Sequence, residues 1–350
     1  MRLLLDKIEW LLQSKIPFVA YRKPSDETIY LMVQQDNALY YLNNYSQKGF
    51  VFAPFDDQEK KILFPLDKCE LSSFSYDPKK GFIPQKETNK NSLSDEQSKI
   101  NHIELVAKGI DFLKKERVKK VVLSRKEKGS IGQILKSELF NRLIQQYPLA
   151  FVSMSYHPKV GLWMGATPET LLRVENKTFT TMSLAGTQPY EEKEHVEWER
   201  KEKEEQQIVT DFIVSQLGDF KLRISKPFTK KAGSLLHICT EISGEIISND
   251  QLKILIHKLH PTPAVCGFPK EKAKSFILKN ENYKREFYAG FLGELNMNNR
   301  SDLYVNLRCM QMDGQTASLY IGGGITKESD PVSEWEETVS KSEVMKRVLF

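Results

Sequence analysis

Strand-like runs come in clusters along this chain, and helices interrupt those clusters without a regular beat. Short runs rich in β-branched and aromatic residues read as strands at 118–124, 149–155, 161–166, 170–174 and 178–184, and again at 302–312 and 316–322 around the turn Asp313-Gly314. Earlier runs of the same kind lie at 18–21, 29–33 and 50–55. Helical periodicity predicts a helix after Ser94-Asp95, with Ile100, Ile103, Val106, Ala107, Ile110 and Phe112-Leu113 on its apolar side. Further helices are predicted at 132–146, 249–259, 270–278 and 281–288, and from Pro331 onward. A long one at 194–217 would stop at Gly218 as its C′ glycine. Strand clusters mixed with helices, with no βαβ alternation, predict the α+β class. Residues 75–100 are polar and carry Pro and Gly. They are read as a loop within one fold, which makes residues 1–350 a single domain.

Bulk properties exclude several classes. Hydrophobic residues are 40% and charged residues 28% of the chain, which fits a soluble globular enzyme and not a disordered one. No run of about 18 apolar residues occurs, so no membrane span is expected. The opening MRLLLDKIEWLLQSK is interrupted by Asp6, Lys7 and Glu9, which predicts an amphipathic helix and not a signal peptide. Cys69, Cys239, Cys266 and Cys309 are scattered without metal-ligand spacing, which favours a reducing cytoplasm. The net charge is only +5, and Lys79-Lys80 and Lys119-Lys120 are too short to form the basic stripe a nucleic-acid binder needs.

Several residues could carry chemistry. A strand runs into Gly322, Gly323 and Gly324, which allows a close backbone approach, a positive φ or simply a flexible turn. Asp330-Pro331 is a helix start, an N-cap acceptor followed by proline at N1. Beyond it Glu337 and Lys341 stand at i and i+4, on a face continued by Val344 and Val348. That spacing suits an ordinary surface pair as well as a site. Glu205 shares the stripe of Ile208, Val209 and Phe212, and a buried carboxylate needs a partner such as a metal. Arg308 falls in DLYVNLRCMQM. Alternation groups it with Tyr304 and Asn306, either as a bidentate clamp for a carboxylate or as a surface ion pair. His260 sits in the proline-rich loop HPTPAVCGFP, and could equally be structural.

Seven segments then follow in one order: KVVLSR (120–125), GATPETLL (165–172), LAGT (184–187), HPTPAVCGFP (260–269), ENYKREFYAG (281–290), LYVNLRCMQ (303–311) and the GGGI…EWEETVSK tail. Over residues 95–350 the chain resembles the chorismate-utilising enzymes, among them most closely the isochorismate synthases; residues 1–94 match only loosely. The resemblance implies a fold of large β-sheets packed as a sandwich with helices outside. It also implies chorismate as substrate, Mg²⁺ as cofactor, a monomer, and no glutamine amidotransferase subunit. Lys120 matches the base that activates water and Glu169 the acid that protonates the departing 4-hydroxyl. Glu205 and Glu337 match the magnesium ligands, with Glu204 as the neighbouring alternative in that helix. Arg308 and Lys341 match groups holding carboxylates, Ala185, Gly186, Thr187, Gly322 and Gly323 match donors around the substrate, and His260 matches a histidine near the ring carboxylate. The chain departs from many relatives at Lys201-Glu202, at Glu205-Gln206 and in Thr187-Gln188-Pro189-Tyr190, where a common arginine is absent. Lys120 argues against the ammonia-using anthranilate and aminodeoxychorismate synthases. A salicylate synthase would share that lysine. A silent chorismate-binding protein is the alternative outside catalysis.

Overall fold

A computed structural model of the chain describes residues 1–77, 96–190, 196–232 and 235–349. Most of the predicted 75–100 loop, with Ser94-Asp95, lies outside them. Among the described residues the strands form two antiparallel sheets, one of nine strands and one of ten. Alternation explains how the first sheet is buried on both faces. In Phe18–Arg22, Val19 and Tyr21 enter the core between the sheets, while Phe18 and Ala20 enter a second core. Trp163 and Tyr320 follow the first set; Leu162, Met164, Leu319 and Ile321 follow the second. That second core is closed by Leu4, Ile8 and Leu11 of the amphipathic helix Arg2–Gln13, by Leu139, Phe140 and Leu143, and by Met345, Val348 and Leu349. The N-terminal part contributes to both layers. Phe18–Arg22 and Thr28–Gln34 join the first sheet, Gly49–Ala53 and Ile62–Pro65 the second.

Two expectations fail for clear reasons. Residues 302–312 are two strands in different sheets: Arg300–Val305 pairs within the second and Cys309–Asp313 within the first. The chain crosses over at 306–308, where Asn306 bonds the Phe287 carbonyl and Arg308 takes a φ of 47°. Arg308 therefore stands at a bend between sheets and does not alternate with Tyr304 along one strand. Residues 281–288 form no helix. Glu286 and Ala289 have φ of 49° and 60°, which a right-handed helix cannot contain. The segment is organised by a buried ion pair, Arg285 with Glu281 at 2.6 Å. The same guanidinium donates to the carbonyls of Val265 and Val122 and lies over the Phe55 ring, tying the HPTP loop to the first sheet. Arg285→Ala leaves Glu281 buried without its partner, so it should cost about 3–5 kcal/mol of stability. Denaturant unfolding checks this, and a loss under about 1 kcal/mol would show the pair to be peripheral.

The long helix is Arg200–Gln216, shorter at its start than expected. Gly218 follows it without a positive φ, and so is no left-handed cap. Among the described residues no helix is long and apolar enough to cross a membrane. The four cysteines are free thiols.

Candidate active site

A cavity of about 450 Å³ opens between the two sheets and the helices Arg200–Gln216 and Pro331–Leu349. Of the residues singled out by sequence, Lys120, Glu169, Ala185, Gly186, Glu205, Arg308, Gly322, Gly323, Glu337 and Lys341 all line it. They come from chain segments more than 200 residues apart.

The three glycines lie inside the strand Thr316–Ile325, paired with Ser124, Leu123 and Val122, and not in a turn. Their role is close approach. A Cβ on Gly324 would stand 2.7 Å from Lys120 Cε and 2.8 Å from Glu205 Oε1; one on Gly322 would stand 2.7 Å from the Tyr288 hydroxyl. Gly186 differs, with a φ of +71° at a register shift that turns the Ala185–Gly186 backbone toward the cavity. The Thr187 side chain lies outside the described residues, as does that of Val344.

Charge is arranged in pairs. Lys120, buried at the head of its strand, donates to Glu205 Oε1 at 2.6 Å. Burial pushes the Glu205 carboxyl up, but the Lys120 ammonium beside it, with Lys341 and Lys201, more than offsets this and holds it below the usual range. Lys341 donates to Glu337 at 2.6 Å and to the Gly322 carbonyl at 3.3 Å. Burial opposes its charge, yet Glu337, Glu205 and Glu334 outweigh that and raise it. Glu204 points outward instead, 61% exposed and paired with Arg200, so of the two neighbours Glu205 is the one facing the cavity. Glu169 has a different character. Burial pushes its carboxyl up to about 7, against the pull of Lys120, Lys230 and Arg308.

His260 does not line the cavity. Its ring is buried edge-on to Phe291, with Nε2 3.2 Å from the Pro54 carbonyl, and burial pushes it down to about 3. His237 occupies the wall instead. Its Nδ1 lies 2.8 Å from the Gly186 carbonyl and its Nε2 3.2 Å from Arg308 Nη2. Those contacts define a neutral ring that donates at Nδ1 and accepts at Nε2, and burial, then Arg308, pushes it down to about 4. The signal for His237 was present: in LLHICTEIS, Leu236, Ile238 and Ile242 alternate with His237, Cys239 and Glu241, marking the strand Leu235–Glu245.

Two further carboxylates were not singled out. Glu202 lines the cavity, and Glu334 approaches it behind Gly323; each keeps one buried oxygen without a hydrogen-bond partner. Among the described residues no three His, Cys, Asp or Glu are drawn together as a closed metal site. Mg²⁺, however, takes one or two protein carboxylates and fills its other positions with water and substrate. Glu205 and Glu337, with the orphaned oxygens of Glu202 and Glu334 nearby, fit such a half-open cation site.

Comparison with known structures places the architecture. The menaquinone-specific isochorismate synthase MenF of Escherichia coli superposes with a TM-score of 0.79 at 20% identity, over 98% of this chain and 91% of that one. An isochorismate synthase assigned to 2,3-dihydroxybenzoate, DhbC of Bacillus anthracis, gives 0.80 at 24% identity, over 99% of each chain. Two large antiparallel sheets with helices are thus the fold of chorismate-utilising enzymes. Residues 51–350 match the family described as chorismate binding enzyme, and the chain belongs to it. In sequence it is 30% identical to the isochorismate synthase EntC of Escherichia coli K12, over 70% of this chain and 66% of that protein. To MenF of Bacillus subtilis it is 28% identical, over 73% and 56%. The matched regions thus span less than two thirds of those relatives' length.

Proposed function

We propose that this chain is an isochorismate synthase, a cytoplasmic Mg²⁺-dependent isomerase that interconverts chorismate and isochorismate as a monomer without an amidotransferase partner. One observation carries the reading: Lys120 and Glu169 face the same cavity, the first a lysine and the second a carboxyl that burial pushes up to about 7, so that a large share of it keeps its proton at neutrality. Adding water at C2 while expelling hydroxide at C4 needs such a base and acid together. Lys120 takes a proton from the attacking water as the C2–O bond forms. Both ring double bonds shift, from C1=C2 and C5=C6 to C1=C6 and C4=C5, the C4–O bond breaks, and Glu169 gives its proton so that the leaving group departs as water. At rest Lys120 is engaged with Glu205, which fixes its Nζ at the cavity wall.

Chorismate carries two carboxylates. Arg308, buried at the crossing between sheets, offers a planar fork to one, and Lys341 a point charge to the other. Mg²⁺ held by Glu205 and Glu337 would neutralise a substrate carboxylate and orient the ring. The relatives' names support water as nucleophile, as does a lysine at position 120. Offering the purified enzyme chorismate, Mg²⁺ and an ammonium salt tests the reading. Isochorismate alone is expected. Anthranilate or aminodeoxychorismate would establish an ammonia-using enzyme, and salicylate with pyruvate a salicylate synthase.

Arg308→Ala should cost about 2–5 kcal/mol in kcat/KM, in the range of buried charge pairs that lose one member. Arg308→Lys should recover only part of it, since the fork is gone. Unchanged catalytic efficiency in the alanine variant would remove Arg308 from the substrate contacts.

A further inference from the structure

One cation beside the acid is not explained by holding substrate. Lys230 lies on the strand Phe228–Ala232 at the edge of the second sheet, directly opposite His237 of the neighbouring strand. Cross-strand partners share a face, so its side chain lies on the side where His237 meets the cavity. It crosses that neighbouring strand entirely: its Nζ ends 3.4 Å from Met182 Sδ, on the strand beyond. Met182 packs with Leu184 and Cys239, and Leu184 is part of the cavity wall. A thioether neutralises no charge. Among the described residues Lys230 has no carboxylate within ion-pair distance, while the neighbouring cations Lys120 and Lys341 are each paired.

We propose that Lys230 is a positioning residue for the acid: its half-buried ammonium supports the negative charge that Glu169 acquires on giving its proton to the departing hydroxyl. The proposal rests on the isochorismate synthase reading and adds to it a residue outside the cavity lining. The groups electrostatically coupled to Glu169 are Lys120 from the strand Lys120–Ser130, Arg308 from the crossing, Lys230 from the edge strand, Tyr288 from the segment after Arg285, and Cys239 from the strand Leu235–Glu245. Lys120 and Arg308 are already engaged, with Glu205 and His237. Lys230 is the cation of this set whose protein contact is an uncharged sulfur.

The test uses wild type, Lys230→Met and Lys230→Arg, with kcat and KM for chorismate measured across pH. A neighbouring charge at a partly buried site is worth roughly half to one unit in an acid's pKa, and so about a three- to tenfold change in rate at most. The cation favours the ionised acid, so removing it makes Glu169 a weaker acid. Lys230→Met should lower kcat about three- to tenfold, move the alkaline limb of kcat to higher pH, and leave KM within about twofold. Lys230→Arg keeps the charge and should retain both rate and limb. A methionine variant with unchanged kcat and limb overturns the proposal. So does a loss of rate in both variants with an unmoved limb, which marks a packing role. A wild type that forms no isochorismate overturns the functional reading itself, and this proposal with it.

Discussion

Glu169→Gln and Lys120→Ala each lose turnover by about 10²–10⁴, the usual worth of a general acid or base, while chorismate still binds. Affinity survives because Arg308, Lys341 and the cation site hold the carboxylates, and neither mutated group is needed for that. The reaction is reversible, so the two residues exchange roles when isochorismate is the substrate. One transition state serves both directions, and each variant should therefore be impaired by the same factor either way. The pH profile follows from the acid. Glu169 must carry its proton to act, and burial sets its titration at about 7, so forward turnover falls as pH rises through that value. Glu169→Gln should lose that limb with the rate. Rates and binding measured together check this. If Lys120→Ala still adds water to chorismate, the base lies elsewhere in the cavity.

Glu337→Gln should abolish activity at ordinary magnesium concentrations and leave the fold intact. A neutral amide is a poor Mg²⁺ ligand, and Glu337 is 42% exposed at the mouth of the cavity, where its loss opens no core. Glu205→Gln should behave alike, with the added consequence that Lys120 loses its ion pair. Glu204→Gln, on a side chain that faces solvent, should be silent. Titrating Mg²⁺ against turnover and against calorimetric binding checks all three. Near-normal turnover in Glu337→Gln would remove that carboxylate from the metal site. An effect of Glu204→Gln alone would mean that the helix register in solution differs by one residue.

Much of this was legible in the sequence because local rules carried it. Asp330-Pro331 starts its helix as expected, with Asp330 accepting from the Ser333 backbone and hydroxyl. Glu337 and Lys341 pair at i,i+4 because helical spacing obliges them to meet. Gly322 to Gly324 were marked as a place where the backbone could approach closely or simply turn, and pattern alone could not separate a turn from a strand pressed against Lys120 and Tyr288. What stayed hidden depends on tertiary contact. The break at Arg308 follows from two sheets competing for one chain, which strand alternation does not register. The false helix at 281–288 had the right composition, but a buried Arg285 bonds carbonyls from two other segments and pulls the backbone away. The exchange of His260 for His237 has the same origin: a rigid proline loop resembles a ligand-presenting device until the strand bearing His237 is seen to form the cavity wall.

The most direct test of the account follows the purified protein with Mg²⁺ from both ends of the reaction, by chromatography, until composition stops changing. An isochorismate synthase brings chorismate and isochorismate to one and the same ratio from either start, consumes no ammonia and releases no pyruvate. Failure to form isochorismate from chorismate, or accumulation of salicylate and pyruvate in its place, would contradict it.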